Sequence, residues 1–219
     1  MLNDHSLTVK DRYTVSDDGF CVRYEPNDEY LATGCSNGTK HVLNLAKAHS
    51  HIDITDIQGF PITSLRWRPQ VVSQSKVLVT VNSEGSVTHW HVPSGKYLFT
   101  IQEENNSILC MDYDKTGEHF ATAGRDFNVR IYDESTKSVD TVLKAAHWNS
   151  RGHSNRVFAV KFIEDNLLIS GGWDSVIHIW DIRTSETVRS IYGPHIAGDA
   201  LDYQKGVILS GSHNAKDQI

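Results

Sequence analysis

The chain has 219 residues, 39% hydrophobic and 22% charged, with a net charge of −6. That length supports one domain with a sizeable core, and the acidic balance argues against non-specific attraction to nucleic acid or to an anionic membrane. Three cysteines, Cys21, Cys35 and Cys110, make an odd number without metal-ligand spacing, which argues against a disulfide framework and fits a reducing compartment, the cytoplasm first and the nucleus second.

At the start, MLNDHSLTV lacks the basic segment and apolar run of a secretory signal. SLTVKDRY from Ser6 reads as an outer strand whose unit lacks its first three strands. No stretch approaches the roughly 20 apolar residues that span a bilayer, so no membrane insertion is expected. Asn37-Gly38-Thr39 fits a glycosylation acceptor, but without an export signal it reads as an Asx-Gly turn.

Five segments then repeat one pattern: a hydroxyl residue after apolar ones, a polar tight turn, and another strand. They begin at Leu31, Leu78, Phe120, Leu168 and Leu209, and their hydroxyls are Thr33, Thr80, Thr122, Ser170 and Ser210, spaced 47, 42, 48 and 40 residues apart. A short strand-like run precedes each: FCVRY from Phe20, ITSLRW from Ile62, ILCMDY from Ile108, VFAVKF from Val157 and the weaker DALDY from Asp199. More polar fourth runs follow, as in KYLFTIQ from Lys96 and ETVRSIY from Glu186. Neighbouring apolar residues such as Val176, Ile177 and Ile179 require sheets covered on both faces, which a radial stack of four-stranded sheets provides. Gly34, Gly124, Gly171 and Gly172 are expected in the tight turns between second and third strands, where positive φ is needed.

Over residues 18–219 the sequence resembles the WD40 family of β-propellers, most sharply in the fourth unit. There Gly152-His153, Ser170, Asp174 and Trp180-Asp181 fall in order, and the resemblance implies that His153, Ser170, Asp174 and Trp180 form a buried structural tetrad. An indole N–H, an imidazole, a hydroxyl and a carboxylate can satisfy one another inside a sheet stack. The other units depart from this pattern. Unit three keeps Thr122, Asp126 and Tyr132 without a histidine; unit two has Thr80, Glu84 and Trp90; unit one has Thr33, Asn37 and Leu43, leaving its relay largely absent; unit five offers His195, Ser210 and Asn214. The fold expected is all-β, about five four-stranded repeats at 18–58, 59–104, 105–150, 151–192 and an incomplete 193–219, after a lead-in at 1–17. The closing aromatic of the fifth unit is due just past Ile219, so the repeats read as part of a ring of about seven blades.

A histidine, serine and aspartate together suggest nucleophilic catalysis, but recurrence at blade spacing beside a tryptophan points to a structural relay instead. His49-x-His51 and His89-x-His91 have a spacing usable for zinc yet lack completing ligands, so no metal is expected. There is no glycine-rich phosphate loop, GxSxG elbow or HExxH, so neither a cofactor nor an enzymatic reaction is expected. A propeller enzyme or nucleic-acid binder requires a polar cluster in the central channel or a basic stripe.

Trp173 precedes the tetrad aspartate in a rim turn, where a large indole has little core to join; the loop around Trp148 is its alternative packing site. The resemblance implies that this end of the ring binds partners, and tryptophan and arginine are enriched in binding hot spots. Arg125, Asn155, Arg156, Trp173 and His213 are therefore the candidate protein-binding residues. Residues 168–183, LISGGWDSVIHIWDIR, resemble the box of WD40 proteins that serve as substrate receptors of cullin-RING ubiquitin ligases; that resemblance makes Arg183 a candidate contact for the ligase adaptor. The leading expectation is a protein-interaction scaffold without chemistry of its own, with a ligase receptor as the alternative.

Overall fold

In a pleated strand successive side chains face opposite sides, so a four-residue polar turn between two apolar strands builds an antiparallel pair with two packable faces. The computed structural model describes residue 9 and residues 12–47, 50–55, 59–69, 75–145, 151–164 and 166–213. Four sheets have four strands each, hydrogen-bonded in chain order. The first blade is β1 (Gly19–Tyr24), β2 (Tyr30–Cys35), β3 (Lys40–Asn44) and β4 (Ser50–Ile54). The second is β5 (Ile62–Trp67), β6 (Val77–Asn82), β7 (Ser86–His91) and β8 (Lys96–Gln102), with a 3-10 turn at Val92–Ser94. The third is β9 (Ile108–Tyr113), β10 (His119–Gly124), β11 (Val129–Asp133) and β12 (Val139–Leu143). The fourth is β13 (Val157–Glu164), β14 (Leu167–Gly172), β15 (Val176–Asp181) and β16 (Glu186–Tyr192). The fifth unit has two described strands, β17 (Leu201–Gln204) and β18 (Val207–Ser210). The strand expected from Ser6 falls largely outside the described residues, as do His49, Trp148 and Asn214.

One register runs through the four complete sheets. Each hydroxyl lies opposite an apolar residue of the first strand: Thr33 opposite Val22, Thr80 opposite Leu65, Thr122 opposite Met111 and Ser170 opposite Val160. On the third strand the same four pair with His41, Thr88, Arg130 and His178. The core lies between sheets: Ala32, Val42 and Ile54 pack on Leu65, Trp67 and Leu78 of the next blade, and Cys110, Ala121 and Val129 pack on Val160, Leu168 and Trp180. Polar ties cross the same seams, Trp67 Nε1–H to the Arg23 carbonyl at 3.1 Å and Thr63 Oγ1–H to that of Ile108 at 2.6 Å. This is the propeller arrangement, each sheet covered by its neighbour. On the first blade Val22 and Tyr24 are exposed, although their counterparts Leu65 and Trp67, Met111 and Tyr113, and Val160 and Phe162 are buried. Among the described residues no sheet covers that face.

The glycine expectation needs correcting. Gly34, Gly124, Gly171 and Gly172 are strand residues in β2, β10 and β14, outside the positive-φ set. What excludes a side chain there is close approach: a Cβ on Gly124 would sit 2.0 Å from the Ser107 carbonyl oxygen, and one on Gly172 2.0 Å from that of Arg156. The left-handed position of the turn lies five residues past the hydroxyl, at Gly38, Gly85, Phe127 and Ser175.

Candidate functional site

The fourth blade joins its four polar residues in one chain. His153 Nδ1 lies 2.7 Å from Asp174 Oδ2, His153 Nε2 lies 2.7 Å from Ser170 Oγ, and Trp180 Nε1–H donates to the same Oγ at 2.8 Å. With the proton on Nδ1, the imidazole donates to the carboxylate and accepts the hydroxyl proton, so each donor has an acceptor. Ser170 and Trp180 are buried, and Asp174 also accepts the N–H groups of Ser154 and Val176. Burial would raise the Asp174 carboxyl, but the hydrogen bond and charge of His153 outweigh it and lower the pKa.

His178, paired with Ser170, brings its ring to 4.6 Å from His153, and ligand atoms of His153, Asp174 and His178 lie within 4.8 Å of one another. A metal on Nδ1 of His153 would displace the proton shared with Asp174 and turn Nε2 into a donor, leaving the Ser170 hydroxyl without an acceptor. The donor set therefore suits a proton-filled relay better than an ion. The sequence-level histidine pair of the second blade diverges: His89 turns to Glu134 and His91 to Ser94.

The other blades rebuild the relay with different chemistry, which sequence reading missed. In the third, Glu103 occupies the histidine's place: its Oε1 accepts the hydroxyls of Thr122 and Tyr132, the latter at 2.9 Å, and its Oε2 accepts Asn106 Nδ2 at 2.7 Å. Arg130 bridges Glu103 and Asp126. The carboxylate sits 19 residues before Thr122, a signal visible only once a glutamate is admitted at the histidine position. In the second blade Trp90 Nε1 donates to Thr80 at 3.2 Å, while Asn82, rather than Glu84, accepts the turn's N–H groups. In the fifth, His195 meets Ser175 of the fourth blade at 3.2 Å; no hydrogen bond joins it to Ser210 among the described residues. In the first blade, where the relay was expected to be largely absent, Ser16, His41 and Asp53 are in contact without Thr33.

Trp173 starts the turn after β14 and is 39% exposed. The indole belongs to no buried core cluster; it stacks on Phe158 at 4.9 Å and, more distantly, on His195 at 6.3 Å, and the Arg156 guanidinium lies over the ring at 5.3 Å. Arg125 and His213 are exposed on the same end of the blades, and Asn155 Oδ1 accepts the Arg156 N–H. Exposed Phe127, in the turn with Arg125, was missed because nothing in its sequence neighbourhood marks a phenylalanine in a left-handed position. Arg183 lies at the opposite end, in the turn after β15, held by Asp181 through Nε at 3.1 Å and Nη2 at 2.7 Å.

A cavity of about 590 Å³ at the channel is lined by Cys21, Arg23, Phe158 and Asp199 among others. Arg66 pairs with Asp112 at 3.1 Å and with Asp199 at 2.8 Å, and Arg23 also pairs with Asp199. Among the described residues these two guanidinium groups face two carboxylates and neutralise one another. No helix among the described residues is long and apolar enough to cross a membrane.

These sheets, their register and the tetrad define a β-propeller built from WD repeats. Residues 95–133 and 147–181 match the family described as WD domain, G-beta repeat. Two of the chain's repeats thus match those of the WD40 family, and the sheets have the fold of its β-propellers. It is 25% identical over 171 residues to a periodic tryptophan protein 2 homolog of Dictyostelium discoideum, covering 77% of this chain and 18% of that protein. It is 26% identical over 137 residues to WD repeat-containing protein 1 of Bos taurus, covering 62% of this chain and 22% of the relative. A guanine nucleotide-binding protein subunit beta-like protein of Encephalitozoon cuniculi (strain GB-M1) is 28% identical over 137 residues, 62% of this chain and 39% of that one. The chain thus spans well under half the length of these relatives. In the crystal structure of the mitotic checkpoint complex, one chain superposes with a TM-score of 0.76 at 20% identity, covering 94% of this chain and 60% of its own.

Proposed function

We propose that the protein is a non-catalytic interaction scaffold that presents the rim around Trp173 to one or more protein partners. The observation that carries this reading is the half-exposed indole, stacked on Phe158 and with the Arg156 guanidinium over its ring. An aromatic anchor already ordered before binding loses little side-chain entropy on contact, which is the property of a hot-spot residue. Arg125 and Phe127 of the third blade extend the surface, and Asn155 and His213 flank it. The free thiols Cys21, Cys35 and Cys110 suit action in the cytoplasm or nucleus.

The adaptor role for Arg183 is the weaker reading, because its guanidinium is already held by Asp181 in this chain. Affinity purification of the full-length protein tests the scaffold. Partners recovered with the wild type should be lost with Trp173→Ala combined with Arg125→Ala, while Arg183→Ala retains them. Unchanged recovery with the double variant would move the binding surface elsewhere.

A further inference from the structure

Arg66, Arg68, Arg130 and Arg183 each hold a carboxylate within 3.4 Å. Arg125 and Arg156 have no carboxylate partner among the described residues, and the turn aspartates beside them are engaged elsewhere. Asp126 is paired with Arg130 and Asn128, and Asp174 with His153. A guanidinium without an internal partner has no ion pair to give up when a ligand arrives.

The fold gathers these two arginines at one end of the seam between the third and fourth blades. Cys110 Sγ lies 3.6 Å from the Ala123 carbonyl oxygen and 3.8 Å from that of Val157, so the end of β10 and the start of β13 run side by side. Arg125 follows the first and Arg156 precedes the second. The Arg125 N–H donates to the Ser107 carbonyl as the Trp173 N–H donates to that of Arg156, each at 3.0 Å. Arg125 thus takes in the third blade the place of Trp173 in the fourth. Both stand in turns at sheet ends, and the faces on either side are packed, the third blade between the second and fourth and the fourth against β17. The surface is the end of the stack and not an uncovered sheet face.

The Arg156 guanidinium lies 5.3 Å from the Trp173 ring, and His195 stacks on the same indole with its Nδ1 3.2 Å from Ser175 Oγ. A guanidinium held beside a ring is placed before binding, and its N–H fork matches a carboxylate bidentately. Glu84 and Glu104 line with Arg125 a polar cleft of about 480 Å³ toward the second blade, and they repel an acidic ligand from that side. Such a ligand is directed across Arg125 toward Arg156 and Trp173. We propose that this rim recognises an acidic linear peptide, with one Asp or Glu side chain on Arg125, a second on Arg156 and an apolar side chain against Trp173. The assignment rests on the rim around Trp173 being the binding surface and adds the chemistry of what it binds. The chain carries −6 overall, so an acidic partner is repelled by most of the molecule and oriented by this patch.

The test selects displayed random dodecapeptides on the full-length protein. Selected peptides should be enriched in Asp and Glu flanking an apolar residue, and synthetic copies should bind less tightly as salt rises. Arg125→Gln and Arg156→Gln should each weaken binding roughly tenfold, through loss of one charge-assisted pair. Arg189→Gln, which removes an exposed arginine of β16, should leave binding unchanged. Arg125→Glu combined with Arg156→Glu should select peptides bearing lysine and arginine instead. Circular dichroism of each variant should match the wild type. Peptides without acidic enrichment that are lost in Trp173→Ala but not in the arginine variants would overturn the acidic assignment and leave the rim as the binding surface. Acidic peptides indifferent to both arginine variants would overturn it as well. Peptides that also bind Trp173→Ala as tightly as the wild type would overturn the rim reading with it. A library that yields no binder would overturn the peptide assignment alone, because partner recovery with Trp173→Ala and Arg125→Ala judges the rim independently.

Discussion

His89 Nε2 and Glu134 Oε2 meet 3.1 Å apart across the seam between the second and third blades, both almost wholly buried. Both depart from the repeat in step. His89 stands where the register puts Val42, Ile131 and Ile179. Glu134 stands where the other blades have Leu45, Val92 and Ile182, each of which donates the same type of backbone hydrogen bond from its N–H. Tyr113 O–H donates to Glu134 at 2.8 Å, and Arg68 and Lys137 pair with the other carboxylate oxygen. Breaking such a buried pair is strongly destabilising, whereas replacing both partners by packed aliphatics is far less so. Glu134→Val alone is expected to cost about 3–5 kcal/mol. Adding His89→Ile should recover part of it, with a coupling energy of about 0.5–3 kcal/mol in urea unfolding. Additive single effects would show that the two side chains do not interact.

Acid should weaken the fold in two stages. Burial, aided by the charge of His153, pushes His178 from its ordinary 6.5 down to about 4. Between those values the unfolded chain binds a proton that the folded chain refuses, so stability falls as the pH drops from about 6.5 and levels off near 4. For Glu134 burial alone would raise the pKa, but His89 and Lys137 hold it at about 2 against an ordinary 4.5. Its contribution is fully present above about 4.5 and is lost as the pH falls toward 2. Thermal melts from pH 8 to 2 should show both declines. His178→Gln should diminish the upper one and Glu134→Gln the lower, to which Asp126, Asp174 and other carboxylates of lowered pKa also contribute.

The tetrad makes a third prediction. Trp180 is 1% exposed and its indole N–H is a donor to Ser170. Trp180→Ala should cost about 3–5 kcal/mol through lost burial and unpaired tetrad groups. Trp180→Phe, which keeps most of the apolar volume and removes the donor, should cost about 1–2 kcal/mol. Chemical denaturation of the two side by side separates packing from hydrogen bonding. A loss below about 1 kcal/mol for the alanine variant would mean that the relay contributes little.

The parts of this molecule that were legible in the sequence are those that act within one repeat. Strand positions followed from hydroxyl spacing and apolar runs because a strand's packing is written in adjacent residues. The chain His153–Ser170–Asp174–Trp180 lies within one unit, so its members fall in a readable order. Illegible were the groups whose partner lies in another repeat or replaces a familiar residue with different chemistry. His89 and Glu134 are 45 residues apart and meet only because the second sheet stacks on the third. Glu103 substitutes a carboxylate for an imidazole, and His41 gains significance only when Ser16 is brought beside it. Gly124 and Gly172 looked like turn residues because a turn follows them, but their constraint is the neighbouring backbone carbonyl.

Phe127 occupies the left-handed position of its turn, with φ of 69° and 39% exposure, where the first two blades have glycine. A bulky L-residue is strained there, and little apolar burial compensates it. Phe127→Gly should therefore stabilise the isolated protein by about 0.5–1 kcal/mol, after allowance for the glycine's greater unfolded-state freedom. Partner recovery should fall in the same variant if the ring belongs to the binding surface. A drop in melting temperature would show that the strain is absent.

Trp173 provides the most direct check on the rim. Its indole is 39% exposed and flanked by Phe158, Arg156 and His195, so a soluble quencher should reach it partially. Among the described tryptophans Trp67, Trp90 and Trp180 are buried and Trp173 is half-exposed, so acrylamide quenching should lose an accessible component in Trp173→Phe. Binding of a protein partner should protect that component. Trp173→Ala should weaken partner binding by about 2 kcal/mol or more, the hot-spot range, while costing only about 1 kcal/mol of stability. Calorimetric titration against the purified partner, alongside a melt of each variant, distinguishes these effects. A variant that binds normally, or an indole as accessible in the complex as in the free protein, would remove Trp173 from the interface.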